Sequence, residues 1–178
     1  MKKIILVGLV VLFCQTAQSQ QPAPNGNWDS LKFLLGKWVG EGGGEAGTGS
    51  GYFTFEAGLN GKVLIRKNHA EYPATKDRPA FSHDDLMIVY ADPAAKRLRA
   101  FYTDTEGNVI NYAVSVTGDG KSVVFLSDPQ SAGPRFRLTY VVTQQDKISL
   151  TFETAPADKP DQFKKFIEGT VRKAPGVN

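Results

Sequence analysis

Phe33-Leu34-Leu35-Gly36-Lys37-Trp38-Val39-Gly40-Glu41-Gly42 is the stretch on which the fold turns. An apolar helical turn runs into a Gly-x-Trp, and from Lys37 onward the hydrophobic period is two. Trp38 is therefore expected to open the first strand and to lie across the base of a closing sheet. Gly36, Gly40 and Gly42 allow the bends and close backbone approaches that a barrel corner needs. Just upstream, Asn27 or Asp29 can cap a turn through Leu31, Phe33, Leu34 and Leu35, which would plug one barrel end.

Downstream, turn signals recur at short intervals. Asn60-Gly61 is the strongest two-residue hairpin signal. Asp92-Pro93-Ala94-Ala95, Glu106-Gly107-Asn108, Gly118-Asp119-Gly120 and Gln145-Asp146 follow. The strands expected between such turns cover 38–45, 50–57, 62–72, 86–90, 97–103, 109–117, 123–127, 135–143, 148–154 and 166–172. A longer loop spans Tyr72 to Asp84, and Asp158 to Lys164 suits one helical turn. Because nearly every link is short, sequence neighbours should pair in space, and closure removes exposed edges. The expected fold is all-β: one closed antiparallel meander barrel of about ten strands with a short N-terminal helical plug, over 28–174.

The 178 residues suit a single domain with a sizeable core. Met1-Lys2-Lys3, an apolar run from Ile4 to Phe13 and small residues near Ala17-Gln18-Ser19 have the layout of a secretory signal over 1–19. A flexible, Pro-containing leader over 20–27 follows. The apolar run is short of the roughly 20 residues that cross a bilayer. Phe13 stands where a small residue would precede a lipid-bearing Cys14, so no stable membrane anchor is expected. Removal of the signal removes the sole cysteine, and with it any disulfide, thiol nucleophile or thiolate metal ligand. The 21 Lys+Arg, less Lys2 and Lys3, against 18 Asp+Glu leave a formal charge of +1. That charge gives nucleic acid no electrostatic hold. The expected location is secreted or periplasmic.

The stretch Phe33 to Gly42 resembles the opening of nitrobindin-like barrels. Its Gly-x-Trp is similar to that of the wider calycin group, the lipocalins and fatty-acid-binding proteins. Asn68-His69-Ala70-Glu71-Tyr72-Pro73 through His83-Asp84-Asp85 looks like a group of uncharacterised secreted bacterial proteins. The resemblance implies a barrel with an internal ligand cavity. Nitrobindins hold haem through a histidine near the last strand, and Phe163 to Arg172 contains none, so no haem cofactor is expected.

Polar residues on the third strand locate the chemistry. Lys67, His69 and Glu71 share one face, whereas Leu64, Arg66, Asn68 and Ala70 share the other. A polar side chain that points into a barrel marks space filled by water or a ligand, because an unpaired buried charge is costly. The Tyr72–Asp84 loop carries His83, and the third strand brings His69 to the same end, away from the plug. The mouth is expected there. Arg66, His69, Glu71 and His83 would offer polar contacts, and Tyr90, Tyr102 and Tyr112 would line a mostly apolar pocket. Arg135 and Arg137 share a face with Thr139 and are expected outside, since charge usually stays solvated.

The function expected from these features is binding of a small, partly apolar ligand in the barrel interior. Two alternatives use the same end. One is a haem or porphyrin barrel with His69 or His83 as axial ligand. The other is an enzyme in which Asp85 orients His83 as a base. A metal site from His69, Glu71 and His83-Asp84-Asp85 would require the loop to fold back over the third strand. No nucleophile elbow is present, because Gly49-Ser50-Gly51 stands in a strand-forming run.

Overall fold

The structure, a computed structural model, describes residues 28–41 and 50–175. The expected signal and leader, and 42–45 of the expected first strand, lie outside the described residues. Ten strands are present among the described residues: β1 (Gly36–Gly40), β2 (Ser50–Gly58), β3 (Val63–Tyr72), β4 (Phe81–Asp92), β5 (Arg97–Asp104), β6 (Val109–Val116), β7 (Ser122–Ser127), β8 (Arg135–Gln144), β9 (Lys147–Ala155) and β10 (Lys164–Lys173). Each strand pairs antiparallel with its sequence neighbours, and β10 closes on β1 through Trp38 opposite Lys173. The all-β meander barrel expected from the turn signals is the observed fold. Asn60 and Gly61 both take left-handed backbone, φ 55° and 78°, which is why this dipeptide can turn the β2–β3 hairpin.

The plug is a 3-10 helix, Trp28–Leu34, that leads into β1. Leu31 and Leu34 are fully buried, and Trp38 Nε1 donates to the Leu34 carbonyl at 2.7 Å. Links at this plugged end are tight, at 59–62, 93–96, 117–121 and 145–146. The opposite end carries 73–80, 105–108, 128–134 and 156–163. The core sits in the plugged half. Around Tyr140, the rings of Phe53, Phe55 and Phe125 pack edge to face with centroids 5.5, 5.8 and 6.1 Å away.

Two elements differ from expectation. β4 begins at Phe81 rather than 86, so His83 and Asp84 belong to a strand and not to the loop. The reason is the edge of β3, which pairs in continuous register from Val63 opposite Tyr90 to Tyr72 opposite Phe81. Backbone hydrogen bonding carries the hairpin past the point where apolar alternation ends. The 158–164 stretch forms turns instead of a helical segment. Lys159 N donates to Pro156 O and Gln162 N to Lys159 O, both at 3.0 Å, while Pro156 and Pro160 interrupt any helical ladder.

Candidate functional site

Inward-facing positions lose their burial toward the loop end. On β3, Leu64 and Arg66 are buried while Asn68 and Ala70 are half-buried. On β8, Tyr140 and Leu138 are buried and Phe136 is half-buried. β9 runs from buried Ile148 to half-buried Leu150, Phe152 and Thr154, and β10 from buried Val171 to half-buried Ile167. A ten-strand circumference is wide enough to leave interior space that side chains do not fill. The loop-end half of the interior, the basin, is therefore only partly covered by side chains above the aromatic core. Its β8–β10 wall is apolar, with Phe136 and Phe152 stacked at 5.7 Å. Its β3–β5 wall is polar.

The polar wall is one bonded chain. Arg66 Nη1 donates to Asp85, in a pair whose side chains are 9% and 5% exposed. The other Asp85 oxygen lies 3.4 Å from His83 Nε2, and His83 Nδ1 lies 2.8 Å from Glu106. The Tyr102 hydroxyl donates to Asp104 at 3.1 Å and stands 3.5 Å from His83 Nε2. Asp85 and Glu106 together push His83 up to about 9, against the opposing effect of partial burial, so it is a cation at neutral pH. Burial alone would raise Asp104, but Asn108 and Tyr102 donate to it and hold it below the usual carboxylate range. Burial pushes the Tyr102 and Tyr112 hydroxyls well above theirs. At the base of this wall, burial opposes the charged form of Arg66, and Tyr140 and Asp85 beside it outweigh that and raise its pKa. Yet neither the Tyr140 hydroxyl nor Arg66 Nε has a hydrogen-bond partner among the described residues.

His83 gives a pH dependence whose sign is fixed by its partners. Its pKa is raised from 6.5 to about 9 on folding, so its contribution is complete below 6.5 and is lost as pH rises through 9. The urea midpoint should therefore fall between about pH 6.5 and 9. His83→Asn should flatten that fall. A wild-type midpoint constant over the window would contradict the ion-paired placement.

The structure brings Arg66, His83, Tyr102 and Tyr112 to the barrel interior. His69, Glu71 and Tyr90 are not with them. Leu64 and Arg66 face the core, so His69 and Glu71, one residue out of phase, face outward. There His69 Nδ1 lies 2.7 Å from Asp84 and Nε2 lies 3.3 Å from Glu71. These two carboxylates raise the His69 pKa. Tyr90, opposite Val63 and Arg99, is outward on β4 at the plugged end. The two histidines do share the loop end, where Ala70 stands opposite His83 and His69 opposite Asp84, but on opposite faces of the sheet.

That split separates His69, Glu71 and Asp84 from His83 and Asp85, so the five do not form one metal site. A different group, His83, Asp104 and Glu106, has its ligand atoms within 4.8 Å of one another. A cation bound there would have to displace the His83 proton that Asp85 and Glu106 favour. Of the two histidines, only His83 faces the interior, so the axial role of a haem barrel could not fall to His69. Asp104, Glu106 and Tyr140 stand beside the expected residues in the structure and were not singled out in the sequence. Asp104 and Glu106 lead into a Gly107-Asn108 turn and read as turn chemistry, and Tyr140 reads as core.

Tyr140→Phe removes a buried hydroxyl without a partner and keeps the ring. It should leave stability unchanged or raise it by up to about 1 kcal/mol in urea unfolding of ligand-free protein. A loss above about 1 kcal/mol would mean that the hydroxyl is bonded within the fold.

A groove of about 740 Å³ lies outside the barrel, on the outer faces of β7–β9 and under the 156–163 loop. Arg135 and Arg137 face it, as expected for an external stripe. Arg137 grips Glu153 through Nε and Nη2 at 2.6 and 2.8 Å, and Arg135 reaches Asp161 at 3.2 Å. Its cations are therefore already in ion pairs. Comparison with protein-family models and with curated proteins finds no match to the chain. The closed ten-stranded antiparallel meander is compatible with the calycin architecture.

Proposed function

We propose that the protein is a secreted or periplasmic binding barrel that holds a small, partly apolar molecule in the basin at its loop end. The observation that supports this most is the division of the basin into an aromatic wall on β8–β10 and a bonded polar wall on β3–β5. Small-molecule sites combine apolar lining with a few placed polar groups in this way. Phe136 and Phe152 would take the hydrocarbon part, while Arg66, His83, Tyr102 and Asn68 stand opposite them. The position of Trp38 after the Gly36 bend, and the resemblance of the 33–42 stretch to nitrobindin-like barrels, agree with such a role.

The reading assigns no reaction. His83 is charged at neutral pH, so it offers no lone pair to act as a base, and Asp85 is already engaged by Arg66. Nile red, an uncharged apolar dye, tests the site directly. Its fluorescence should rise saturably with one dye per barrel. Phe152→Lys, which brings a charge to the apolar wall, should weaken binding roughly tenfold or more while leaving the thermal transition in place. No saturable rise, or equal binding by Phe152→Lys, would contradict the proposal.

A further inference from the structure

We propose that His83, Asp104 and Glu106 bind a divalent transition-metal ion, such as Zn²⁺, at the rim of the barrel. The site does not depend on what the interior holds. One ligand atom from each residue lies within 4.8 Å of the other two. Bonds to Zn²⁺ are about 2.0–2.2 Å long, so the three need only a small closing movement, which the exposed Glu106 can make. The sheet brings them together. His83 stands on β4, Asp104 ends β5 and Glu106 follows in the next turn. Thr105 N donates to the Asp84 carbonyl at 3.0 Å and holds that turn against β4.

Groups outside the ligand set support the same assignment. Glu106 lies 2.8 Å from His83 Nδ1, so Nδ1 is the nitrogen that takes the ion. Nε2 keeps its proton and faces Asp85 at 3.4 Å. A carboxylate on the second ring nitrogen is the usual orienting partner of a metal-bound histidine. Here that carboxylate is 5% exposed and is itself gripped by Arg66, so the ring is aimed from the buried side. Charge points the same way. Arg66 and protonated His83 are two cations against the carboxylates of Asp85, Asp104 and Glu106. Binding releases the Nδ1 proton to solvent and puts two positive charges in its place, which balances the three carboxylates. An imidazole nitrogen suits Zn²⁺ and its neighbours, whereas Mg²⁺ prefers oxygen ligands and keeps its water.

Isothermal titration of tag-free protein with zinc chloride should show saturable binding of one ion per barrel, and magnesium chloride should show none. His83→Asn and Glu106→Gln should each weaken Zn²⁺ binding by roughly tenfold or more, while His69→Asn, on the outer face, leaves it unchanged. Glu106 is exposed, so Glu106→Gln should keep the wild-type thermal transition and test the site without disturbing the fold. The chain has 2 histidines, so ring-nitrogen resonances read the ligand directly. Zn²⁺ should move those of His83 and leave those of His69 in place. Absence of saturable Zn²⁺ binding, Mg²⁺ binding as tight as Zn²⁺, affinity unmoved by Glu106→Gln, or a shift at His69 in place of His83 would each overturn the proposal. The reading of the interior as a binding site would stand in all four cases, since it is tested separately by the uncharged dye.

Discussion

Replacing Asp85 with Ala is expected to destabilise the barrel by about 3–5 kcal/mol, because it leaves Arg66 charged and buried without its partner. The two side chains are only 9% and 5% exposed, so solvent cannot take over the role of the lost carboxylate. Attraction between the pair is not the same as a contribution to stability. Desolvating two ions costs several kcal/mol each, and an apolar pair of similar volume often does as well or better. The double variant Arg66→Met with Asp85→Leu should therefore fall within about 1 kcal/mol of wild type or exceed it. That pattern, a damaging single change and a harmless double one, is what distinguishes a pair kept for binding from one kept for stability. Urea unfolding of the three variants measures it. A double variant as unstable as Asp85→Ala would show that the ions hold the fold.

Trp38→Ala should cost a similar amount, about 3–5 kcal/mol. Trp38 is 2% exposed, stacks against Phe53 with centroids 6.5 Å apart, and donates to the carbonyl of Leu34. Its loss opens a large cavity at the base and removes the bond that ties the plug to β1. The plug buries Leu31 and Leu34 completely, so the damage should spread into 28–34. Amide exchange in that segment should rise with the fall in stability. A loss under about 1 kcal/mol would mean that Trp38 is not the foundation of the core.

The barrel could be read from the chain because its cause is local. Asn60-Gly61, Gly107 and Gly120 supply left-handed backbone where antiparallel neighbours must reverse, with φ of 55°, 78°, 84° and 67° in turn. Period-two alternation supplies the rest. The site was less legible because its causes are relational. Parity groups Arg66 with Leu64 and His69 with Glu71, but only the packed sheet shows that the Leu64 face looks inward. A usable signal was present on β4, where Asp85 shares parity with Met87 and Val89, both 0% exposed. An acid in phase with two core residues belongs inside. That Asp85 meets Arg66 depends on the β3–β4 register, which is set by pairing across the 73–80 loop and leaves no mark on either strand alone. Tyr90 was misplaced for the same reason, since its phase on β4 puts it outside.

Binding in the half-buried loop-end interior and binding in the outer groove are distinct outcomes, and the proposed function requires the first. An amide chemical-shift titration of the protein with octanamide separates them in one measurement. The account predicts saturable shifts at Asn68, His83, Phe136 and Phe152, on the inward faces of β3, β4, β8 and β9, with Leu126, Thr139 and Thr151 unmoved. Shifts centred on Leu126, Thr139 and Thr151 would place binding in the outer groove between β7 and β9 and contradict it.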